Sequence, residues 1–475
     1  MQQLAAADRL LGQGRLREAI DAYRSLLADG RGPANAWYNL AWAERADHRF
    51  DDALASYAKA IEAGMDRPEE AMLNRAAILN EHLFDPALAA DELRAALALN
   101  PGFVLAWLNL GNIHEDLGEV EAARDAYGRA LALDPRNGRA RARLGVIAVA
   151  TGEAAAATVD LQRALTTTQN HEDRAEILFA LGGALDDQGD YPSAFQAYQA
   201  ANLHARAIAR TRYDARAHEA LIDRIIATFT AASASPPASD QGARPVFICG
   251  MFRSGSTLAE QILGRHSAIT AAGELETIPK LAHDLMPYPE AVATLPNDEI
   301  ARLRQGYLDA LPGIGPTTDK RCDNFLHIGL IKTLFPEAKI IHTRRGALDN
   351  ILSVYFLYFG DAITYSHDLN DIAHYYSQYA RLMRHWQRLY PEDIHTLDYD
   401  ALVSQPRDAI EATLKFLGLA WEDACLVASP GSDAIRTASA WQVRKPLHAR
   451  SSGRWRHYEA QLAPVRQRID GAARD

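Results

Sequence analysis

"FICGMFRSGSTLAE", residues 247–260, decides the fold of the second half of the chain. A Walker A loop reads G-x-x-x-x-G-K-[ST], and Gly250, Gly255 and Thr257 hold three of its fixed positions. Ser256 stands where the lysine that reaches a γ-phosphate belongs. A glycine-bearing turn between a strand and a helix aims backbone N–H groups and the positive helix end at an anion. Arg253 adds a fork of donors, and Ser256 and Thr257 add hydroxyls, so Arg253, Ser254, Gly255, Ser256 and Thr257 form a candidate anion cradle. Without the lysine, the loop suits a ligand with a 5′-phosphate and one further anionic group rather than a triphosphate.

Outward from this loop, short apolar stretches, "PVFICG" (245–250), "AKIIHTR" (338–344) and "DIHTLDY" (393–399), each precede a helix-like segment. Strand–loop–helix units in series predict a parallel α/β sheet. Just upstream, "TAASASPPASDQGARP" (230–245) is rich in Ser, Ala and Pro and reads as a linker. "RYDARAHEALIDRIIATF" (212–229) reads as an amphipathic capping helix.

Before it the grammar is purely helical and repetitive. "AWYNLAWAERAD" (36–47), "AMLNRAAILNEH" (71–82) and "AWLNLGNIHEDLG" (106–118) start 35 residues apart. Ala19 with Tyr23, Ala53 with Tyr57, Ala89 with Leu93, Ala123 with Tyr127 and Ala157 with Leu161 mark the second helix of successive units. This small–aromatic spacing is the tetratricopeptide pattern, and about six units fit before residue 208. Such hairpins bury their apolar faces only by stacking into a solenoid with a concave groove. Asn39, Asn74 and Asn109 hold one position of three consecutive first helices. They resemble the asparagine ladder of peptide-binding grooves, where the amide acts as donor and acceptor, and they are equally readable as polar surface with local bonds. The expected division is a solenoid over 1–208, a capping helix and linker over 209–243, and an α/β domain over 244–475.

The 475 residues carry 50 Lys and Arg against 61 Asp and Glu, a formal charge of −11, which argues against a general nucleic-acid binder. No run of apolar residues is long enough to span a membrane, and the first residues lack the unbroken apolar core of a signal peptide, which predicts a cytoplasmic protein. Cys249, Cys322 and Cys425 are too few and too scattered for a disulfide framework or a zinc site, and no metal is expected.

"HTRRGALDNILSVYF" (342–356) leaves a strand with Arg345 and reaches Ser353 near the start of a helix, where guanidinium and hydroxyl can share one phosphate. Here the chain resembles the sulfotransferases that use 3′-phosphoadenosine 5′-phosphosulfate (PAPS). The resemblance implies that residues 253–257 grip the 5′ end of the cofactor and Arg345 with Ser353 its 3′-phosphate. It is sharpest toward the protein-tyrosine sulfotransferase branch. "AAGELETIPK" (271–280) looks like that branch's G-E-E-T…I-P-R segment, which makes Glu274 the catalytic base. "TDKRCDNF" (318–325) resembles its K-D-P segment and places Lys320 beside the leaving oxygen. "LDYDALVSQPRDAIEATLKFLGLAWE" (397–422) matches a segment in which Tyr399 is a cofactor contact. "TASAWQVRKPLHARSSGRW" (437–455) implies a cofactor-binding loop with Ser439, Gln442 and Lys445, and with Arg454 in place of a phosphate-binding lysine.

Departures from the branch are Ser256 for a threonine, Cys322 for a proline, Ala272 for a cysteine and Leu357 for an arginine. The expected reaction is sulfuryl transfer from PAPS to a hydroxyl, with a tyrosine of a protein or peptide held by the solenoid as the acceptor and a homodimer left open. Two rivals stand beside it: the same chemistry on a small phenol, lipid or glycan, and a repeat scaffold with a degenerate nucleotide domain. A kinase is disfavoured by the missing lysine and the lack of an acidic magnesium motif. His266 and His342 are candidates for the base if Glu274 is not.

Overall fold

The computed structural model describes residues 2–231, 244–313, 315–426 and 452–472, which divide into two compact units, one up to Thr168 and one from Gln169 onward. In the first, α1 (Gln2–Gly12) pairs with α2 (Leu16–Leu26), α3 (Ala34–Ala46) with α4 (Phe50–Glu62), α5 (Pro68–Glu81) with α6 (Pro86–Leu99), α7 (Val104–Leu117) with α8 (Val120–Leu133), and α9 (Gly138–Ala150) with α10 (Ala154–Leu165). Prolines open α5 and α6 at the one turn where a missing N–H costs nothing, and Asp85 caps α6 by accepting from Leu88 N at 2.9 Å. The small–aromatic pairs are the reason the hairpins close: Ala19, Tyr23, Ala53, Tyr57, Ala123 and Tyr127 are fully buried. Each such large side chain contributes roughly 1.5–3 kcal/mol by leaving water. One cluster gathers Ala7, Tyr23, Trp37 and Leu40 from three successive helices, and another gathers Leu79, Leu93, Phe103 and Leu110. The core is therefore built between neighbours, as a stacked repeat requires.

Several polar groups inside this unit are closed between successive repeats. Glu44 accepts from Arg24 Nη2 and from Ser56 Oγ, both at 2.7 Å. Asn39 Nδ2 donates to Asp8 Oδ1 at 3.0 Å, and Asn74 Nδ2 donates to Tyr38 OH at 2.9 Å while its Oδ1 accepts from Arg45 at 3.1 Å. Asn109 is half-buried on α7.

The second unit opens with a further repeat hairpin, α11 (His171–Asp187) and α12 (Tyr191–Ile208), followed by α13 (Ala215–Thr228). Alternating strands and helices come next: β1 (Arg244–Gly250), α14 (Ser256–Leu263), β2 (Thr270–Ala271), α15 (Thr277–Asp284), α16 (Asn297–Asp309), β3 (Pro316–Asp319), α17 (Ile328–Leu334), β4 (Lys339–Arg344), α18 (Ala347–Tyr355), α19 (Leu369–Leu389), β5 (Ile394–Asp398), α20 (Tyr399–Ser404) and α21 (Pro406–Phe416). Among the described residues the strands form one parallel five-stranded sheet, ordered β2-β3-β1-β4-β5.

Helices cover both faces, so the strands are apolar on both. Val246 and Ile248 join Ala259, Ile262, Ile341 and Leu397 on one side of the sheet. Phe247 meets Tyr307 and Phe335 on the other, at ring separations of 5.8 and 6.4 Å. The three strands expected from sequence are β1, β4 and β5. β2 and β3 are too short for any alternation to show.

The hairpin α11–α12 belongs with the sheet because of what α12 touches. Tyr198 stacks on Phe356 at 3.8 Å, and the buried Asn202 donates from Nδ2 to Tyr355 O at 2.9 Å. Both contacts fall on the end of α18, the helix that carries Ser353 in its last turn rather than near its start as expected, because the helix begins directly after Gly346.

Candidate active site at the strand ends

β1 lies between β3 and β4, so strand order reverses at β1 and a crevice opens beyond the carboxyl ends of the strands, where parallel sheets bind ligands. Each strand delivers a candidate residue there: β1 leads into residues 253–257, β2 to Glu274, β3 to Lys320, β4 to Arg345 and β5 to Tyr399. Parallel pairing brings together side chains that are far apart in the chain.

The loop after β1 is tight enough to require its glycines. Gly250 has φ 155°, and a Cβ there would meet Thr343 O at 2.3 Å. Gly255 has φ 101°, and a Cβ would meet the Tyr399 ring at 2.6 Å. Arg253 itself sits at φ 70°, a left-handed conformation that costs a non-glycine about 1–3 kcal/mol. The loop is held by its neighbours. Thr343 Oγ1 donates to Cys249 O at 3.2 Å, which leaves Ser254 Oγ to donate to Thr343 Oγ1 at 2.7 Å. Asn350 Nδ2 donates to Phe252 O at 3.0 Å. Ser256 Oγ lies 3.2 Å from Cys322 Sγ, and Thr257 is buried in the first turn of α14.

Positive charge converges on this loop. Arg253 Nε donates to Ser353 Oγ at 3.1 Å, and Arg345 Nη1 donates to Arg253 O at 3.4 Å. The Arg345 guanidinium lies over the Tyr399 ring at 4.9 Å. Burial and then the neighbouring Arg345 push the pKa of Arg253 down to about 10. Burial also lowers that of Arg345, and Arg454 is near enough to oppose the charge of both. Arg454 is gripped from behind: Nε donates to Asp186 Oδ1 at 3.2 Å and Nη2 pairs with Asp186 Oδ2 at 2.6 Å. The backbone on either side of Arg454 is fixed by Asp349, which accepts from Gly453 N at 2.6 Å and Trp455 N at 2.9 Å.

At the other end of the crevice, Lys320 Nζ donates to Glu274 Oε1. Burial works against the charge on Lys320, which is 2% exposed, but the Glu274 carboxylate beside it, with Cys322 and Glu260 near, holds its pKa above the ordinary lysine value. Glu274 is 42% exposed and faces the solvent side of the pair. Beneath them Glu260 Oε1 accepts from Gly273 N at 3.0 Å and from Thr318 Oγ1 at 2.8 Å, while Lys320 N donates to Gly273 O at 2.7 Å. Glu260 thus ties α14 to the segments that present Glu274 and Lys320. Burial raises its pKa, against the pull of Lys320.

His266 and His342 are both engaged elsewhere. His266 Nδ1 accepts from Ala268 N at 3.1 Å and its Nε2 lies 2.9 Å from Ala420 O. His342 Nε2 lies 2.5 Å from Tyr379 OH, and burial pushes its pKa down to about 3. Ser439, Gln442 and Lys445 lie outside the described residues.

Reading the sequence missed Glu260, Asp349 and Asp186. For Glu260 a signal existed, because Ser256, Ala259, Glu260 and Leu263 share the buried stripe of α14. The other two take their meaning from contacts that no local pattern encodes.

Residues 245–423 match the family model for the sulfotransferase family. Tetratricopeptide repeat models match residues 4–68 and 161–209, and a further one matches 104–137. An uncharacterized protein of Aquifex aeolicus (strain VF5) is 35% identical over 313 residues, 62% of this chain and 41% of its own length. The chain therefore spans about two fifths of that curated relative. Among solved structures, MamA (residues 41 to end) from Desulfovibrio magneticus RS-1 is similar at 19% identity, covering 35% of this chain and 92% of that one, with TM-score 0.31. YrrB, a TPR protein with an unusual peptide-binding site, matches at 21% identity over 42% of this chain and 90% of its own, with TM-score 0.30. The pilF protein of Pseudomonas aeruginosa matches at 18% identity over 42% and 87%, with TM-score 0.34.

Proposed function

We propose that this chain, which joins tetratricopeptide repeats to a sulfotransferase-family domain, transfers a sulfuryl group from PAPS to a hydroxyl of a protein or peptide acceptor, a tyrosine in the first instance. The observation that carries the reading is the meeting of Arg253 and Arg345 at a glycine cradle that has no Walker lysine, with Arg454 near enough to bear on the charge of both. A cluster of guanidiniums at the end of a parallel sheet suits a ligand with two separate phosphates, since like charges are assembled there against their own repulsion. Arg345 and Ser353 would hold the 3′-phosphate, residues 253–257 the 5′ end, and Tyr399 would line the nucleotide. When bound, PAPS supplies the sulfuryl group. Ser439, Gln442 and Lys445 are proposed contacts of the same cofactor.

The chain's own residues then divide the work. Oε1 of Glu274 is taken by Lys320, and Oε2 is the oxygen we assign to the acceptor's proton. Lys320 stays charged although buried, and so sets a fixed positive charge where negative charge develops, the largest single source of catalysis in many enzymes. Glu274 is the more exposed of the two, as a residue that meets an incoming acceptor must be.

The repeats supply the recruiting surface, with Asn39, Asn74 and Asn109 as groove contacts. Their present partners, Asp8, Tyr38 and Arg45, would be exchanged for peptide backbone. The buried free thiols of Cys249, Cys322 and Cys425 fit a reducing compartment such as the cytoplasm.

Two measurements test the reading. Titration calorimetry should show binding of 3′-phosphoadenosine 5′-phosphate (PAP) in preference to ATP, and equal or tighter ATP binding would overturn it. Incubation of the full chain with ³⁵S-labelled PAPS and lysate should put label in protein. Label confined to small molecules would move the acceptor to a phenol, lipid or glycan.

A further inference from the structure

We infer that Asp186, on the last repeat hairpin, is a positioning residue for the cofactor's phosphates and acts through Arg454. The inference rests on the PAPS reading above. Asp186 lies in the final turn of α11 and its side chain is 16% exposed. It takes Nε and Nη2 of Arg454, the two donors along one edge of the guanidinium, and also accepts from Tyr458 OH. A planar fork held along one edge presents its remaining donors along the other. The flat face of Arg454 lies over the Phe356 ring at 5.3 Å, and that ring is stacked on Tyr198 of α12 at 3.8 Å. With Asp349 fixing Gly453 and Trp455, the arginine is located by its backbone, its face and its edge.

The arrangement needs an anion to make sense of its cost. Arg454 opposes the charge of both Arg253 and Arg345, so three guanidiniums are gathered within mutual reach. A long arginine side chain left to itself would swing away from two like charges, and the carboxylate of Asp186 is what holds it in. The last repeat is on this view part of the nucleotide site and not only a spacer.

Two physical effects of removing Asp186 have opposite signs. Deleting a negative charge near an anion site strengthens anion binding by simple Coulomb attraction. Releasing Arg454 weakens it. Positioning wins if the affinity falls.

The experiment is calorimetry of the full chain with PAP for the wild type, Asp186→Asn, Arg454→Gln and the double variant. Asp186→Asn should bind about ten- to hundredfold more weakly, the range of a charge-assisted bond. Arg454→Gln should lose as much, and the double variant no more than Arg454→Gln alone. Asp186→Glu, which keeps the carboxylate, should lose less than Asp186→Asn, and serves as the readable variant if the asparagine form does not fold. Unchanged or tighter binding by Asp186→Asn, losses that multiply in the double variant, or a glutamate variant no better than asparagine would each overturn the inference while leaving the cofactor reading intact. Failure of the wild type to bind PAP would instead overturn the cofactor reading, and this inference with it.

Discussion

Arg143 in the first unit and Arg253 in the second are half-buried guanidiniums whose surroundings act in opposite directions. Burial opposes the charge of Arg143, but Glu115, which also accepts from Tyr127 OH at 2.9 Å, more than offsets this and raises its pKa. Around Arg253 burial and a second arginine act together, and its pKa falls to about 10. The repeats close each buried charge against an opposite one, which makes shape. The strand ends gather like charges, which stability alone does not reward. That contrast marks the strand ends as the candidate site without reference to any motif.

The largest expected effects lie at the reacting end and leave the repeats untouched. Glu274→Gln should retain PAP binding and lose turnover by about 10²–10⁴-fold on a poorly acidic phenol. Its activity should recover as the phenol becomes more acidic, because a phenol near pKa 10 needs help to ionise at neutral pH. Lys320→Ala should lose about 10²–10³-fold with every phenol and show no recovery. A steady-state series of phenols with both variants separates the roles, and a parallel response would place the base elsewhere.

The comparison itself can be broken with a matched pair of arginine deletions. Arg143→Ala leaves Glu115, 3% exposed, without its counter-charge and should cost about 3 kcal/mol of stability, the low end because Arg143 is itself one-third exposed. Its PAP affinity should not change. Arg345→Ala should do the reverse: PAP affinity falls by about 1.5–3 kcal/mol, binding of the nucleotide lacking the 3′-phosphate barely changes, and thermal stability holds. If Arg143→Ala weakens nucleotide binding, or Arg345→Ala weakens both ligands alike, the division between shape and chemistry fails.

A smaller effect separates the units by pH. His342 in β4 is buried and neutral, with a folded pKa of about 3 against an ordinary value of 6.5. Because the folded value is the lower one, its contribution is complete above pH 6.5 and is lost as pH falls toward 3. At pH 5 the loss should reach about 2 kcal/mol relative to pH 7. Denaturant titrations of the wild type and His342→Gln across this window should show that increment in the wild type and its absence in the variant. An equal pH slope in both would exclude the histidine as its source.

How much of this was legible depended on the range of the interaction. The repeat hairpins could be read because each buries a small residue and a large one, Ala with Tyr or Leu, against its nearest neighbour, so their period survives in the sequence. β1, β4 and β5 showed as apolar runs. β2, two residues long, did not, although it leads to Glu274. The loop 253–257 was visible because it lies within one strand–helix turn, and Arg345 with Ser353 because both lie within one short strand–helix unit, and the structure adds the bond from Arg253 to Ser353 that joins them. Asp186 was invisible, since its partner Arg454 lies in the last segment of the chain and no local pattern connects them.

The bond from Asn202 to Tyr355 spans 153 residues of chain. At the usual synthesis rate of about 5–20 residues per second, roughly 8–30 s pass between the emergence of its two ends. For that interval the aromatic side of α12, with Phe195 and Tyr198, has no Tyr355 or Phe356 to cover it. The earlier hairpins wait only for the repeat that follows next in the chain, so their faces are covered sooner. The last hairpin alone leaves the ribosome with an aromatic face still waiting for its cover.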